Sequence, residues 1–151
     1  MDNDDVIDAL NKLIETCKDG EYGFRTSAEH LKTPDLKQLF IRRADECRQG
    51  AAELQQLVAQ HGGTAEDSGT ASGALHRGWV SVKATLAGYS EKAILEEIER
   101  GEDVAMDAYR NCLEKDLPAN VLTVVQRQFE GVKRNHAQVR ELHNQARAAA
   151  D

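Results

Sequence analysis

Three glutamates and one histidine, Glu21, Glu46, Glu102 and His136, are the residues of this chain best typed and spaced to bind a metal. Each falls on a different helical stretch. Carboxylate oxygens with an imidazole nitrogen are the donors that iron or manganese accepts when facing helices project them inward. The same residues admit a second reading. A buried carboxylate with no cation or hydrogen-bond donor is costly, so an inward acid can instead be paired with Lys133, Arg43 or a tyrosine. The densest run of acids is LEEIERGEDVAMDAYR, from Leu95 to Arg110. There Glu96, Asp103 and Asp107 point away from the apolar stripe Ile94, Ile98, Ala105 and Cys112, and Glu97 borders it. Glu102 is the inward candidate, with Glu99 one turn earlier as its substitute.

These side chains need helices to place them. The series Leu10, Ile14, Cys17, Glu21, Phe24, Ala28, Leu31 steps alternately by four and three, as one seam of a bundle does. Thr33-Pro34-Asp35 breaks it, with Thr33 or Asp35 able to cap the next helix. A second series from Leu36 to His61 includes Arg43 and stops at Gly62-Gly63. Ser90 with Glu91 opens a third helix, and Asp116-Leu117-Pro118 ends it. The fourth carries Val121, Val125, Gln128, Val132, His136, Val139 and His143, with a tail, ARAAAD, expected to fray. The spacing predicts an all-α, antiparallel four-helix bundle forming one domain over residues 1–151. Its helices are expected at about 4–32, 35–61, 90–115 and 118–147. The crossover, 62–89, is long enough to run the length of the bundle and carries a short helix at about 73–87 around Trp79.

Height along the bundle follows from distance to the turns, at about 1.5 Å per residue. Glu21, Glu46 and Glu102 each lie about 12 or 13 residues from the same end, and His136 lies only modestly off that level. Gly23, Gly50, Gly101 and Gly131 sit inside helices near the same height. Each costs about 1 kcal/mol relative to alanine, so close helix packing or room for bulky neighbours or a site is expected there.

The two hairpins, with ERGEDVAMDAYR opening the second and NHAQVREL closing it, resemble the ferritin-like superfamily. More narrowly, they resemble an uncharacterised bacterial family of four-helix-bundle proteins, a domain of unknown function. The resemblance implies a glutamate on the first and third helices and Glu-x-x-His on the second and fourth. Glu21 and Glu102 match the lone glutamates. Glu46-Cys47-Arg48-Gln49 keeps the glutamate and replaces histidine by Gln49, while Lys133-Arg134-Asn135-His136 keeps the histidine and puts Lys133 where glutamate belongs. The ammonium of Lys133 can stand in for a cation. One iron or manganese ion, or a metal-free polar core, therefore fits the resemblance better than a metal pair.

Composition narrows the remaining classes. A net charge of −7 argues against a nucleic-acid partner, whose phosphates need clustered Lys and Arg; a DNA-protecting role would need a basic tail or surface. No apolar run approaches the roughly 20 residues of a membrane span, and the acidic N-terminus, MDNDDVIDAL, lacks the pattern of a signal peptide. The cytoplasm is the expected location. Three widely spaced cysteines, Cys17, Cys47 and Cys112, form neither a disulfide framework nor a zinc knuckle and are expected in the core. No hydrolase triad or nucleotide-binding loop is present. Two functions stay open: a ferritin-like metal binder, or a helical scaffold or stress-related interaction module that has lost the site. Association as a homodimer is expected in either case.

Overall fold

The computed structural model describes residues 1–65, 88 and 90–150. They form four helices: α1 (Asn3–His30), α2 (Pro34–Gln60), α3 (Glu91–Leu113) and α4 (Ala119–Ala150). The short helix expected at 73–87, with Trp79, lies outside the described residues.

Local chemistry sets each boundary. Asp2 caps α1 by accepting from the Asp5 amide at 2.9 Å. Pro34 sits in the first turn of α2, where its missing amide hydrogen costs nothing. Gly62, at φ +78°, turns the chain out of α2, and the amides of Gly62 and Gly63 satisfy the carbonyls of Ala59 and Val58 at 3.0 Å. Ser90 caps α3 through the Ala93 amide. Through the tail expected to fray, α4 runs on to Ala150; alanine and arginine are strong helix formers.

Thr33 behaves differently from expectation. It occupies the cap position of α2 without capping it, and its hydroxyl donates to Glu91 at 2.8 Å. Glu91 also accepts from the amides of Thr33 and Lys32 at 2.8 and 3.2 Å. Partial burial disfavours the charge on Glu91, but these three bonds outweigh it and hold the carboxyl below its ordinary range. A depressed carboxyl contributes stability above its unfolded pKa, and that contribution is lost as pH falls through the folded value. Glu91→Ala is therefore expected to destabilise the protein by about 1–2 kcal/mol at neutral pH and to lose its effect on acidification. Urea denaturation at two pH values measures both, and an equal loss at acid pH would contradict the assignment.

Cross-helix contacts fix the topology. Thr33 meets Glu91 at one end and Cys17 meets Tyr109 near the middle, so α1 and α3 are antiparallel. Phe24 packs on Phe40 and Asn3 bonds the His61 carbonyl, so α1 and α2 are antiparallel too. It follows that α2 and α3 run parallel. The chain leaves α2 at one end of the bundle and starts α3 at the other, which is why the connection has to be long. Arg43 with Gln138 and Arg127 with Glu53 make α4 antiparallel to α2.

The apolar interior is divided. One half-core gathers Leu10, Leu13, Ile14, Leu54, Val58, Val121 and Val125. The other gathers Phe24, Phe40, Ile94, Leu95, Ile98 and Val139. All four helices contribute to both, and partly buried Val132 packs against each. No helix of the described residues is long and apolar enough to cross a membrane.

Candidate functional site

Between the two half-cores lies a cavity of about 550 Å³. Every helix contributes to its wall: Cys17, Gly20 and Phe24 from α1; Cys47, Gly50 and Glu53 from α2; Glu102, Ala105 and Tyr109 from α3; Gln128, Gly131 and Val132 from α4. The space has a backbone origin. Gly20, Gly50 and Gly131 withhold side chains at one level. A Cβ on Gly50 would stand 3.6 Å from the Cys17 Sγ, in ordinary contact, and one on Gly131 would meet only the Arg134 side chain, at 3.7 Å.

One side of the cavity is a closed hydrogen-bond chain. Gln128 Nε2 donates to Glu53 Oε1 at 2.8 Å and to the Gly50 carbonyl at 3.3 Å, so its Oε1 is the acceptor left for Tyr109, whose hydroxyl donates at 2.8 Å. The phenol has a single hydrogen. The 3.3 Å contact between Cys17 Sγ and the Tyr109 oxygen is therefore donated by the thiol. The chain runs Cys17 to Tyr109 to Gln128 to Glu53, and Arg127 pairs with Glu53 at its end. Each donor points toward the terminal carboxylate, an order in which successive bonds polarise one another.

Burial holds the protons of Cys17, Cys47, Tyr109 and Glu102. It pushes the Cys17 thiol up to about 11, only partly offset by the charge of Lys18. Burial likewise raises Cys47 and Tyr109 well above their ordinary values. A protonated thiol is a poor nucleophile and a poor metal ligand. Glu102 is only 3% exposed, and its Oε1 is buried without a hydrogen-bond partner. Burial pushes its carboxyl up to about 8; Arg43 pulls it back, while Asp103 and Glu99 push it further.

The candidate ligands separate when placed in the structure. Glu21 is half-buried and pairs with Arg25 on its own helix at 3.1 Å. Glu46 is exposed and pairs with Arg43 at 3.1 Å. His136 meets Asp103 at 2.5 Å. Only Glu102 turns fully inward. Glu99, its substitute, is taken by His143 at 2.5 Å and Arg140 at 3.4 Å. Gln49 bonds Asp45 at 3.2 Å. Lys133 pairs with Glu130 at 2.8 Å and stands 4.8 Å over the Phe129 ring. The cation whose field reaches Glu102 is Arg43 on α2. Among the described residues, no three His, Cys, Asp or Glu side chains gather where they could hold a metal ion. These residues do not fit a ferritin-type metal pair.

The acids of LEEIERGEDVAMDAYR are thereby accounted for. Glu96 and Glu97 face Arg100 at 3.8 and 2.7 Å, Glu99 faces His143, Asp103 faces His136 and Asp107 faces Arg110. Glu97, expected at the border of the stripe, is buried. The chain through Tyr109 and Gln128 went unread in the sequence, although Gln128 stood as a polar residue between Val125 and Val132 in the stripe of the fourth helix, and that was its signal.

Comparison with known proteins agrees with the architecture. A Dps1 mutant from Mycobacterium smegmatis superposes with a TM-score of 0.79 at 18% identity, covering 93% of this chain and 96% of that one. At that identity the likeness establishes the fold alone: a ferritin-like four-helix bundle. No curated protein matches the sequence. Residues 5–115 match a family described as a domain of unknown function, and this chain, ferritin-like in fold, belongs to that family, DUF2383.

Proposed function

We propose that this protein is a ferritin-like bundle that works without a resident metal, as a non-catalytic binding module centred on its mid-bundle cavity. The observation that carries this reading is the separate pairing of the candidate ligands. Glu21, Glu46 and His136 are each taken up by a neighbour at the edge of the bundle, which leaves Glu102 as the one of the four candidates turned inside. A single carboxylate is too few donors for iron or manganese. The protonated thiols around it support a binding role over a chemical one.

Loading the purified protein with iron(II) or manganese(II), followed by desalting and elemental analysis, tests the reading. The expected result is sub-stoichiometric metal, equal in the wild type and in a Glu21→Ala, His136→Ala double variant. Stoichiometric metal in the wild type that the double variant loses would restore the metal-binding alternative. Homodimer formation belongs to the same proposal. It is supported by two large exposed apolar residues, Tyr22 on α1 and Ile41 on α2, which the antiparallel pairing of those helices puts at nearly the same height.

A further inference from the structure

We propose that the mid-bundle cavity binds an apolar carboxylate, an organic acid anion with a hydrocarbon body, which enters between α2 and α4 and is anchored at its head by Arg134. The inference rests on the metal-free binding reading above and adds the way in and the ligand's chemistry.

Register sets the way in. Asn135 donates to Glu46 at 3.5 Å and Gln128 donates to Glu53 at 2.8 Å, so polar side chains bridge α2 and α4 at two levels. Between those bridges, four residues on from Glu46 and four back from Asn135, Gly50 stands level with Gly131. Neither has a side chain to close the space. Both line the cavity, and its volume of about 550 Å³ suits a small molecule. Gly131 also gives the Arg134 guanidinium its seat, since Nη2 lies 3.7 Å from where a Gly131 Cβ would stand. Arg134 is exposed and lines the same cavity, so its charge stands at the opening.

Charge balance selects the sign of the ligand. Of the carboxylates in the cavity wall, Glu46 has Arg43 and Glu53 has Arg127. Arg134 is left over, because among the described residues no carboxylate pairs with it. Glu102 keeps its proton at neutral pH, so the interior adds no negative charge to repel an anion. The polar groups from Cys17 to Glu53 are closed on one another and need no ligand atom. Phe24, Ala105 and Val132 supply apolar wall for a hydrocarbon body. At the head, a planar carboxylate matches the fork of a guanidinium.

Calorimetric titration of the full chain with octanoate tests the proposal, beside 1-octanol as the neutral probe and octylamine as the cation. Octanoate is expected to bind at about one per chain, and the other two at least about tenfold more weakly. Arg134→Gln is expected to weaken octanoate binding about tenfold and to leave octanol binding unchanged. Arg147→Gln removes the same charge from the last turn of α4 and is expected to change neither. Gly131→Leu, which closes the opening, is expected to abolish octanoate binding. Circular dichroism confirms that the variants fold, and Gly50→Ala, which adds one carbon in ordinary contact, is a milder closing variant expected to weaken binding. No octanoate binding at millimolar concentration would overturn the proposal. So would octanol or octylamine binding as tightly as octanoate, octanoate binding indifferent to Arg134, or an equal loss from Arg147→Gln. A manganese(II) titration of the same protein separates the two readings. Stoichiometric manganese that a Glu21→Ala, His136→Ala variant loses would overturn the metal-free reading, whereas octanoate failure without it overturns the ligand assignment alone.

Discussion

Glu102→Gln is expected to raise the melting temperature of the protein at pH 9 and to leave it nearly unchanged at pH 5. Burial holds the folded carboxyl at about 8, against an ordinary value of 4.5. The folded state therefore keeps a proton that the unfolded chain releases. Stability from such a group is fully present below pH 4.5 and is lost as pH rises through 8. At about 1.4 kcal/mol per pH unit, the loss developed by pH 9 is about 3–5 kcal/mol. Glutamine has nearly the same shape and no charge to bury, so it removes that penalty. In a chain of this size the gain corresponds to about 10 °C. Few substitutions of a buried charged residue stabilise, which makes the sign informative. Thermal melts of both proteins at the two pH values decide it. A variant less stable than wild type at pH 9 would mean that Glu102 is ionised and satisfied, with a partner that Oε1 lacks in this structure.

Phe24→Ala is expected to cost about 3–5 kcal/mol. Phe24 is 2% exposed and meets the fully buried Phe40 edge to face, with ring centres 5.4 Å apart and planes at 87°. That arrangement adds about 0.5–1.5 kcal/mol to the area buried. Position sets a second effect. Phe24 separates one half-core from the cavity, so its removal joins the new void to space already present. Water admitted there solvates Glu102, and the alkaline loss of stability should shrink in this variant even as total stability falls. Denaturant titrations at neutral and alkaline pH measure both. A cost below about 1 kcal/mol would show that the ring is not holding the half-core it shares with Phe40.

The heights of the candidate residues were legible in the sequence, but their directions were not. Thr33-Pro34, Gly62-Gly63 and Asp116-Leu117-Pro118 marked the ends, and counting from them put His136 near the level of Glu102; the structure has it on the adjacent residue, Asp103. A miscount of one residue moves a side chain about 1.5 Å along the axis but about 100° around it. Glu21 shows the consequence. The seam of α1 passes through Gly20 and Phe24, and Glu21 beside them turns to Arg25 at the edge. A strict seven-residue repeat cannot tell those neighbours apart, because a helix of 3.6 residues per turn drifts against it. Glu102 was read correctly because Gly101 and Ala105, on either side of it, are also buried. The hydrogen-bond chain escaped for another reason. Its members lie on different helices, and a single sequence has no signal for pairs such as Tyr109 with Gln128.

The division of the interior bears on how the molecule comes apart. Neither hairpin owns a core, since each apolar layer draws side chains from all four helices. Separating α1 and α2 from α3 and α4 would open both layers at once. Melting one layer leaves the other intact, with the cavity as the seam between them. The natural unit of cooperativity is therefore a transverse slab of the bundle, and amide exchange should rank residues by which slab they occupy, not by which helix.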